Sequence, residues 1–285
     1  MSKLTETALD IIEGFEIRRV RDLEGSTLKS MKGPEVDGIE QRNIIDIFTS
    51  DQYLKDDLNG NLASFVVMAP TGIPLIFFSL RCGELFEETS LAKMQICHNA
   101  YIALYKLGNN MITSETERKE AIERIRIANS DGMSIDDFEP IEDKKHDWQY
   151  DDVVDANKEI NKVFKSHPAV ELKLFGVNAA AENYWKSLRL PNDIKMGETL
   201  FWLKVVKTLE TIMQYVGCRF AYLFAANKEA EGRLVKYYRV RLGFNSSIKM
   251  TTNKPRFDWN SQFLFQSIND LFKRKSKFVS DIMSL

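Results

Sequence analysis

The stretch FAANKEAEGRLVKYYRVRLGF, residues 224–244, changes character twice. An apolar run stops at Asn227, a charged segment at helical spacing follows, and that segment closes in Tyr237-Tyr238 and then Leu242-Gly243-Phe244. Working upstream, residues 220–226 are apolar and of strand length. Before them Leu200, Phe201, Val205, Leu209, Ile212 and Met213 form one stripe of a long helix over residues 197–215. Further back, VELKLFGVN (residues 170–178) reads as a strand. The order is therefore strand, glycine-containing linker, long helix, strand, short helix.

The rest of the chain frames this run. FEIRRV (residues 15–20) reads as a strand with one wet face, and residues 39–48 read as a short helix. Residues 63–69 and 75–82 are β-rich and flank PTGIP, whose Gly72 and prolines suit a hairpin turn. Helical spacing returns at Leu91, Met94, Cys97, Tyr101, Leu104 and Leu107, again around Ala121–Ile125, and a third time from Val153 to Val163. Residues 131–150 are acidic and irregular, and residues 262–282 have the spacing of a tail helix. We expect one α/β domain over residues 1–285, with residues 86–166 as a helical insertion within it.

Composition narrows the function. The chain of 285 residues is 44% apolar and 28% charged, enough for a sizeable core. Its 39 basic and 41 acidic residues leave a net charge of −2, so no bulk attraction to nucleic acid or anionic membrane follows. Cys82, Cys97 and Cys218 stand far apart, and His98, His146 and His167 show no HExxH spacing, so the expectation is no disulfide framework and no metal. MSKLTETALDIIEGF lacks the pattern of a secretory signal, and SFVVMAPTGIPLIFFSL is broken by two prolines and a glycine. The expectation is a reduced, cytoplasmic protein.

The ordered elements from residue 170 to 244 resemble the GNAT superfamily of acyl-CoA-dependent N-acetyltransferases. The residues that carry the resemblance are Asn192-Asp-Ile-Lys-Met-Gly197 before the long helix and Tyr238 with Gly243-Phe244 after the second strand. FFSLRCGEL (residues 77–85) looks like the antiparallel strands that precede this core. The resemblance implies a mixed, mostly antiparallel sheet with a splayed central parallel strand pair, flanked by helices. It implies acetyl-CoA as co-substrate, a primary amine as acceptor and direct attack in a ternary complex. Main-chain groups at Phe175, Gly176 and Val177 would hold the pantetheine arm. Lys195, Met196, Gly197, Glu198 and Thr199 would form the phosphate-binding turn, and Asn227 would contact the CoA arm. Elementary physics agrees: a helix N-terminus presents unpaired N–H groups and a partial positive charge to a diphosphate.

The chain departs from the family pattern in informative ways. Lys195 replaces the first loop glycine, Asn192 the usual glutamine or arginine, and the linker of residues 178–195 is long. Glu198 suits the helix dipole but would repel a diphosphate, so the expectation is that it points away and that Lys195 adds a phosphate contact. By the resemblance Tyr238 is the candidate acid for the leaving thiolate, one residue out of register, with Tyr237 as the second candidate. A phenol near its ordinary ~10 is neutral at pH 7 and matched to a thiolate. Packing beside the sheet is the structural alternative for either ring. Glu171 and Glu84 are candidate bases for the acceptor ammonium, against solvated edge charges as the alternative. A non-catalytic CoA-binding regulatory or interaction module on the same fold is the rival function. Acceptor identity and oligomeric state are not written in the sequence.

Overall fold

The computed structural model describes residues 6–36, 39–89, 91–130, 133, 135, 138, 162–226, 232–247, 250–252 and 261–283. In chain order the elements are α1 (Glu6–Glu13), β1 (Glu16–Arg19), α2 (Gly25–Lys29), β2 (Glu35–Val36), β3 (Ile39–Glu40), α3 (Arg42–Phe48), α4 (Asp51–Leu58), β4 (Ala63–Met68) and β5 (Pro74–Thr89). Then come α5 (Leu91–Gly108), α6 (Glu115–Ser130), β6 (Lys162–Val177), α7 (Glu182–Ser187), α8 (Met196–Leu200) and α9 (Val206–Met213). The chain closes with β7 (Phe220–Ala226), α10 (Arg233–Val240), β8 (Met250–Thr251), β9 (Ser261–Ser267) and α11 (Ile268–Met283). A π-helical turn, Phe201–Val205, joins α8 to α9, so Met196–Met213 is one continuous helix.

Six strands lie in the order β1-β4-β5-β6-β7-β9, with β8 paired to the far end of β5 as the seventh strand of the sheet. The hairpin between β4 and β5 turns at Gly72, whose φ of 81° is open to glycine and strained for other residues. β6 and β7 run parallel, as two strands linked by a crossover helix must, and β7 and β9 run antiparallel in full register from Phe220↔Ser267 to Ala226↔Ser261. The sheet is mixed and mostly antiparallel, as expected.

Alternation along the strands sorts side chains into two layers. On one face Val67, Ile76, Phe78, Leu80, Val170 and Leu172 pack with α1, the long helix, α10 and α11. On the other, Val66, Met68 and Phe77 pack with Phe48 and Tyr53 of α3 and α4. Phe48, Phe77, Phe78, Phe201 and Phe244 are fully buried, each contributing about 1.5–3 kcal/mol. Lys204, in the π-helical turn, donates to the carbonyls of Glu13 and Phe15 (2.8 and 2.7 Å), fastening the end of α1 to the long helix. Burial lowers its pKa to about 8.

By contacts the chain divides into two compact units: residues 1–85, 167–248 and 252–285, and residues 86–166 with 249–251. In the second unit α5 and α6 pack together around Ala100, Ala128 and Phe138, and Phe86 and Glu87 pair with β8.

Two expectations need correction. The tail is not one helix: residues 261–267 form β9, and only Ile268–Met283 is helical. Leu264 and Gln266 turn inward while Phe263 and Phe265 turn outward, a period of two, and β7 requires a partner on that side. Ile39 and Glu40 pair with β2, so the helix expected from residue 39 starts at Arg42. Most of the third expected helix lies outside the described residues, and its last residue, Val163, belongs to β6.

Candidate functional site

Pairing between β6 and β7 covers only Ala169↔Phe220, Val170↔Ala221 and Glu171↔Tyr222. Above that point the two strands part, although β6 continues to Val177 and β7 to Ala226. Each strand is held by its other neighbour. β7 stays zipped to β9 along its whole length. The top of β6 is pinned to β5, where the Asn178 N–H donates to the Leu75 carbonyl (2.9 Å) and its side-chain amide to the Pro74 carbonyl (2.6 Å). The same side-chain oxygen accepts from the Lys32 N–H at 2.8 Å. β6 and β7 therefore lean outward and leave a wedge with its apex at Glu171 and Tyr222. From Glu171 to Val177 the wedge is ~20 Å deep at roughly 3.3 Å per residue.

β6 also changes face as it enters the wedge. Val170 and Leu172 pack on the long-helix layer, Leu174 on the other, and Phe175 and Val177 on the long-helix layer again. Leu172 and Leu174 are two residues apart yet lie on opposite layers, where a regular strand would keep them on one face, so the chain bulges between them. A bulge frees backbone groups from the ladder at the place where the parallel pairing ends. Gly176 then falls opposite Phe77, whose ring an added Cβ would overlap.

The long helix points its N-terminus at the mouth of the wedge. Its first N–H groups, on Met196, Gly197 and Glu198, have no partner within the helix, and Lys195 at the N-cap makes no side-chain cap bond. Gly197 fits tightly: an added Cβ would come within 2.9 Å of Val177 Cγ2 and 3.6 Å of the Tyr237 hydroxyl. The long linker before it folds into a turn and α7, and Trp185 Nε1 donates to the Ile194 carbonyl (3.2 Å), fixing the approach to the helix. Lys195 is exposed and folds back on the Asn192 carbonyl (2.8 Å). Glu198 is buried, 3.8 Å from Arg241, and burial raises its pKa while Arg241 opposes the shift.

The tyrosine pair splits. Tyr238 is buried in the core against Phe244, and burial raises its pKa. Tyr237 is half-buried with its hydroxyl toward Gly197; burial raises its pKa, with Tyr238 and Glu198 adding to the rise and Arg241 opposing it.

The apex is polar. The Glu171 carboxylate is 1% exposed and accepts from Arg81 Nε (2.8 Å), with Arg81 Nη2 at 2.5 Å and Lys173 Nζ at 3.7 Å. On that face an open cavity of about 520 Å³ is lined by Arg81, Cys82, Gly83, Glu84, Pro168, Tyr222 and Thr252. The buried Tyr222 ring reaches across to Gly83, where an added Cβ would meet ring carbons at 2.8 Å. Its phenol lies beside Thr252 and Arg81, and its pKa is raised chiefly by burial.

A mixed sheet whose parallel pair opens into a wedge, with a helix N-terminus at its mouth, is the arrangement that the resemblance to the GNAT superfamily implied. No protein-family model matches the chain, and no curated protein matches it by sequence. Solved structures resemble it distantly. AtaTR bound with acetyl-CoA is 13% identical, over 91% of this chain and 97% of that one, with a TM-score of 0.45. A mutant AtaT toxin is 11% identical over 96% of each chain (TM-score 0.44), and a mutant KacT is 13% identical over 91% and 98% (TM-score 0.42).

The wedge and its mouth bring together Phe175, Gly176, Val177, Lys195, Met196, Gly197, Glu198 and Tyr237, and its apex face holds Glu171 and Glu84. Thr199 is buried, its N–H already bonded to the Lys195 carbonyl at 2.9 Å. Asn227 lies outside the described residues. Asn178, Arg81, Tyr222 and Arg241 escaped sequence reasoning. Only Arg81, the lone cation of β5 and preceded there by an apolar run, left a signal that could have found it. Among the described residues no three His, Cys, Asp or Glu side chains cluster to hold a metal ion, and no helix is long and apolar enough to cross a membrane.

Proposed function

We propose that this protein transfers an acetyl group from acetyl-CoA to a primary amine. The observation that carries the reading is the parting of β6 and β7 above Glu171 and Tyr222, with a helix N-terminus at the open end. Unzipped strand edges offer the amide groups that a pantetheine arm needs, and the free N–H groups of Met196, Gly197 and Glu198 suit a diphosphate. Lys195 and Arg241 add positive charge there. Glu198 works against an anion, so its interaction with Arg241 has to loosen, or the carboxyl has to take up a proton, when the diphosphate docks.

The acceptor nitrogen attacks the thioester carbonyl near the bulge, where freed backbone groups stabilise the developing oxyanion. The new C–N bond forms as C–S breaks. The ammonium proton leaves to water or to Glu84 at the cavity wall, while Glu171, sealed by Arg81, keeps the apex in shape. The departing thiolate takes its proton from water in the open apex cavity. Tyr237 lies at the helix tip instead, where burial keeps its phenol neutral beside the diphosphate.

The second reading is a non-catalytic CoA-binding module, favoured by the placement of Tyr238 in the core and the acid at the helix tip. Acetyl-CoA and a panel of amines, followed by free-thiol release, separate the two. We expect acceptor-dependent thiol release; tight acetyl-CoA binding with no release on any amine selects the module.

A further inference from the structure

We propose that the apex cavity takes an amine acceptor that also carries an anionic group, a carboxylate or a phosphate, bound by Arg81. The proposal rests on the acetyl-transfer reading for its chemistry, but the site stands on its own geometry. Two cations, Arg81 and Lys173, share one carboxylate, Glu171. The anion is sealed at 1% side-chain exposure, whereas Arg81 is 41% and Lys173 29% exposed. Within that cluster the parts that meet solvent are the positive ones, while Glu84, exposed on the same cavity wall, is the carboxylate that faces the acceptor's ammonium. Arg81 also lines the cavity, together with the hydroxyl-bearing side chains of Tyr222 and Thr252.

The Arg81 guanidinium spends Nε and Nη2 on Glu171, so it is held in place before any ligand arrives. A held guanidinium recognises a planar or tetrahedral oxyanion at lower ordering cost than a free one. Gly83 allows the Tyr222 ring to lie across the strand, so the floor of the cavity is flat and its depth is set by that ring. An acceptor whose anionic group sits on Arg81 would place a nearby amine toward the mouth of the bulge between Leu172 and Leu174. Acceptors without the anion lack that anchor.

The test compares three amines of matched length: a neutral alkylamine, an aminocarboxylate and an aminoalkylphosphonate. Thiol release gives kcat/KM for each, and acetyl-CoA affinity is measured separately by calorimetry. We expect at least one anionic acceptor to exceed the neutral amine about tenfold or more in kcat/KM through a lower KM, the carboxylate and phosphonate arms telling which oxyanion fits. In Arg81→Met paired with Glu171→Gln, which leaves no unpaired buried charge, that ratio should fall toward unity; Arg81→Lys should keep part of it. Equal KM values for the neutral and both anionic amines, or a ratio that survives in the double variant, overturn the proposal. If acetyl-CoA does not bind, the acetyl-transfer reading fails first. Direct titration of the aminocarboxylate and the phosphonate into the wild-type chain and the double variant then still decides the site: anion binding lost with Arg81 sustains it, and no binding of either ligand ends it.

Discussion

Two buried carboxylates mark the two ends of the wedge, and their surroundings are opposite. Glu171, at the apex, is met by Arg81 at hydrogen-bond distance and by Lys173. Glu198, at the helix tip, has Arg241 only at 3.8 Å, and that arginine is more than half exposed. The helix dipole and Arg241 help Glu198, but the loss of water does not. One carboxylate holds the strands' polar face together. The other is kept at a cost at the place where an anionic ligand would dock. The difference teaches where this fold invests in structure and where it leaves a group for binding to act on.

The comparison breaks most visibly if the chemistry sits at the wrong end. Tyr237, whose hydroxyl faces the helix tip, lies beside the docked diphosphate and not the thioester, so Tyr237→Phe should weaken acetyl-CoA binding several-fold and change kcat little. Tyr238→Phe should leave turnover within a few-fold, because that ring packs in the core. Calorimetry and steady-state thiol release check both. If Tyr237→Phe cuts kcat by about 100-fold instead, the thioester sits at the helix tip and the roles of the two ends are reversed.

Glu171→Gln tests the structural end. Arg81 and Lys173 lose the charge they share, and the expected loss is about 1.5–3 kcal/mol, typical of hydrogen bonds to a charged group and reduced by the exposure of both cations. Denaturant unfolding at pH 7 measures it. A variant as stable as the parent would mean that the apex gains nothing from its ion pairs.

The contrast between the ends was not legible in the sequence, although the order of elements was. Strand 220–226 stands where its apolar run placed it, and the long helix differs by a residue or two at its ends. The bulge was invisible because Leu172, Leu174 and Phe175 are all apolar, so a change of face leaves no polar residue out of phase. Asn178 looked like a strand end, yet its amide pins β6 to β5 by bonds to residues more than a hundred positions away. Tyr237 and Tyr238 are adjacent, and only the rotation of α10 decides which of them reaches the wedge. The tail misled because Leu264, Ile268, Leu271 and Phe272 suit a helix, whereas β7 takes the first of them into the sheet.

Glu198→Gln tests the other end, with the opposite sign. Because burial raises its pKa, the folded chain holds the Glu198 proton more firmly than the unfolded chain does. Stability therefore falls as pH rises from the ordinary carboxylate range through the raised value, and above it the whole cost of the buried charge is present. Glu198→Gln should melt higher than the parent at pH 7, with the gap shrinking as pH falls through the raised value and levelling off near the ordinary carboxylate pKa of about 4. It should also bind acetyl-CoA more tightly at pH 7. Melting temperatures across pH 4–8 and calorimetry at its two ends check this; a gap that does not change with pH would mean the carboxyl is not titrating there.

The smallest expected effect belongs to Lys195. It is exposed and already engaged with the Asn192 carbonyl, so any phosphate contact replaces one hydrogen bond with another and adds a screened charge. Lys195→Ala should weaken acetyl-CoA binding by a few-fold at low salt and by less at 0.5 M. The dependence on salt is the informative part. The backbone N–H groups at the helix tip point into a tight, partly dehydrated corner beside Val177 and Tyr237, where ions screen poorly, whereas the Lys195 ammonium sits in water. An affinity that is unchanged at every salt concentration removes Lys195 from the site and leaves phosphate recognition to the main chain and Arg241.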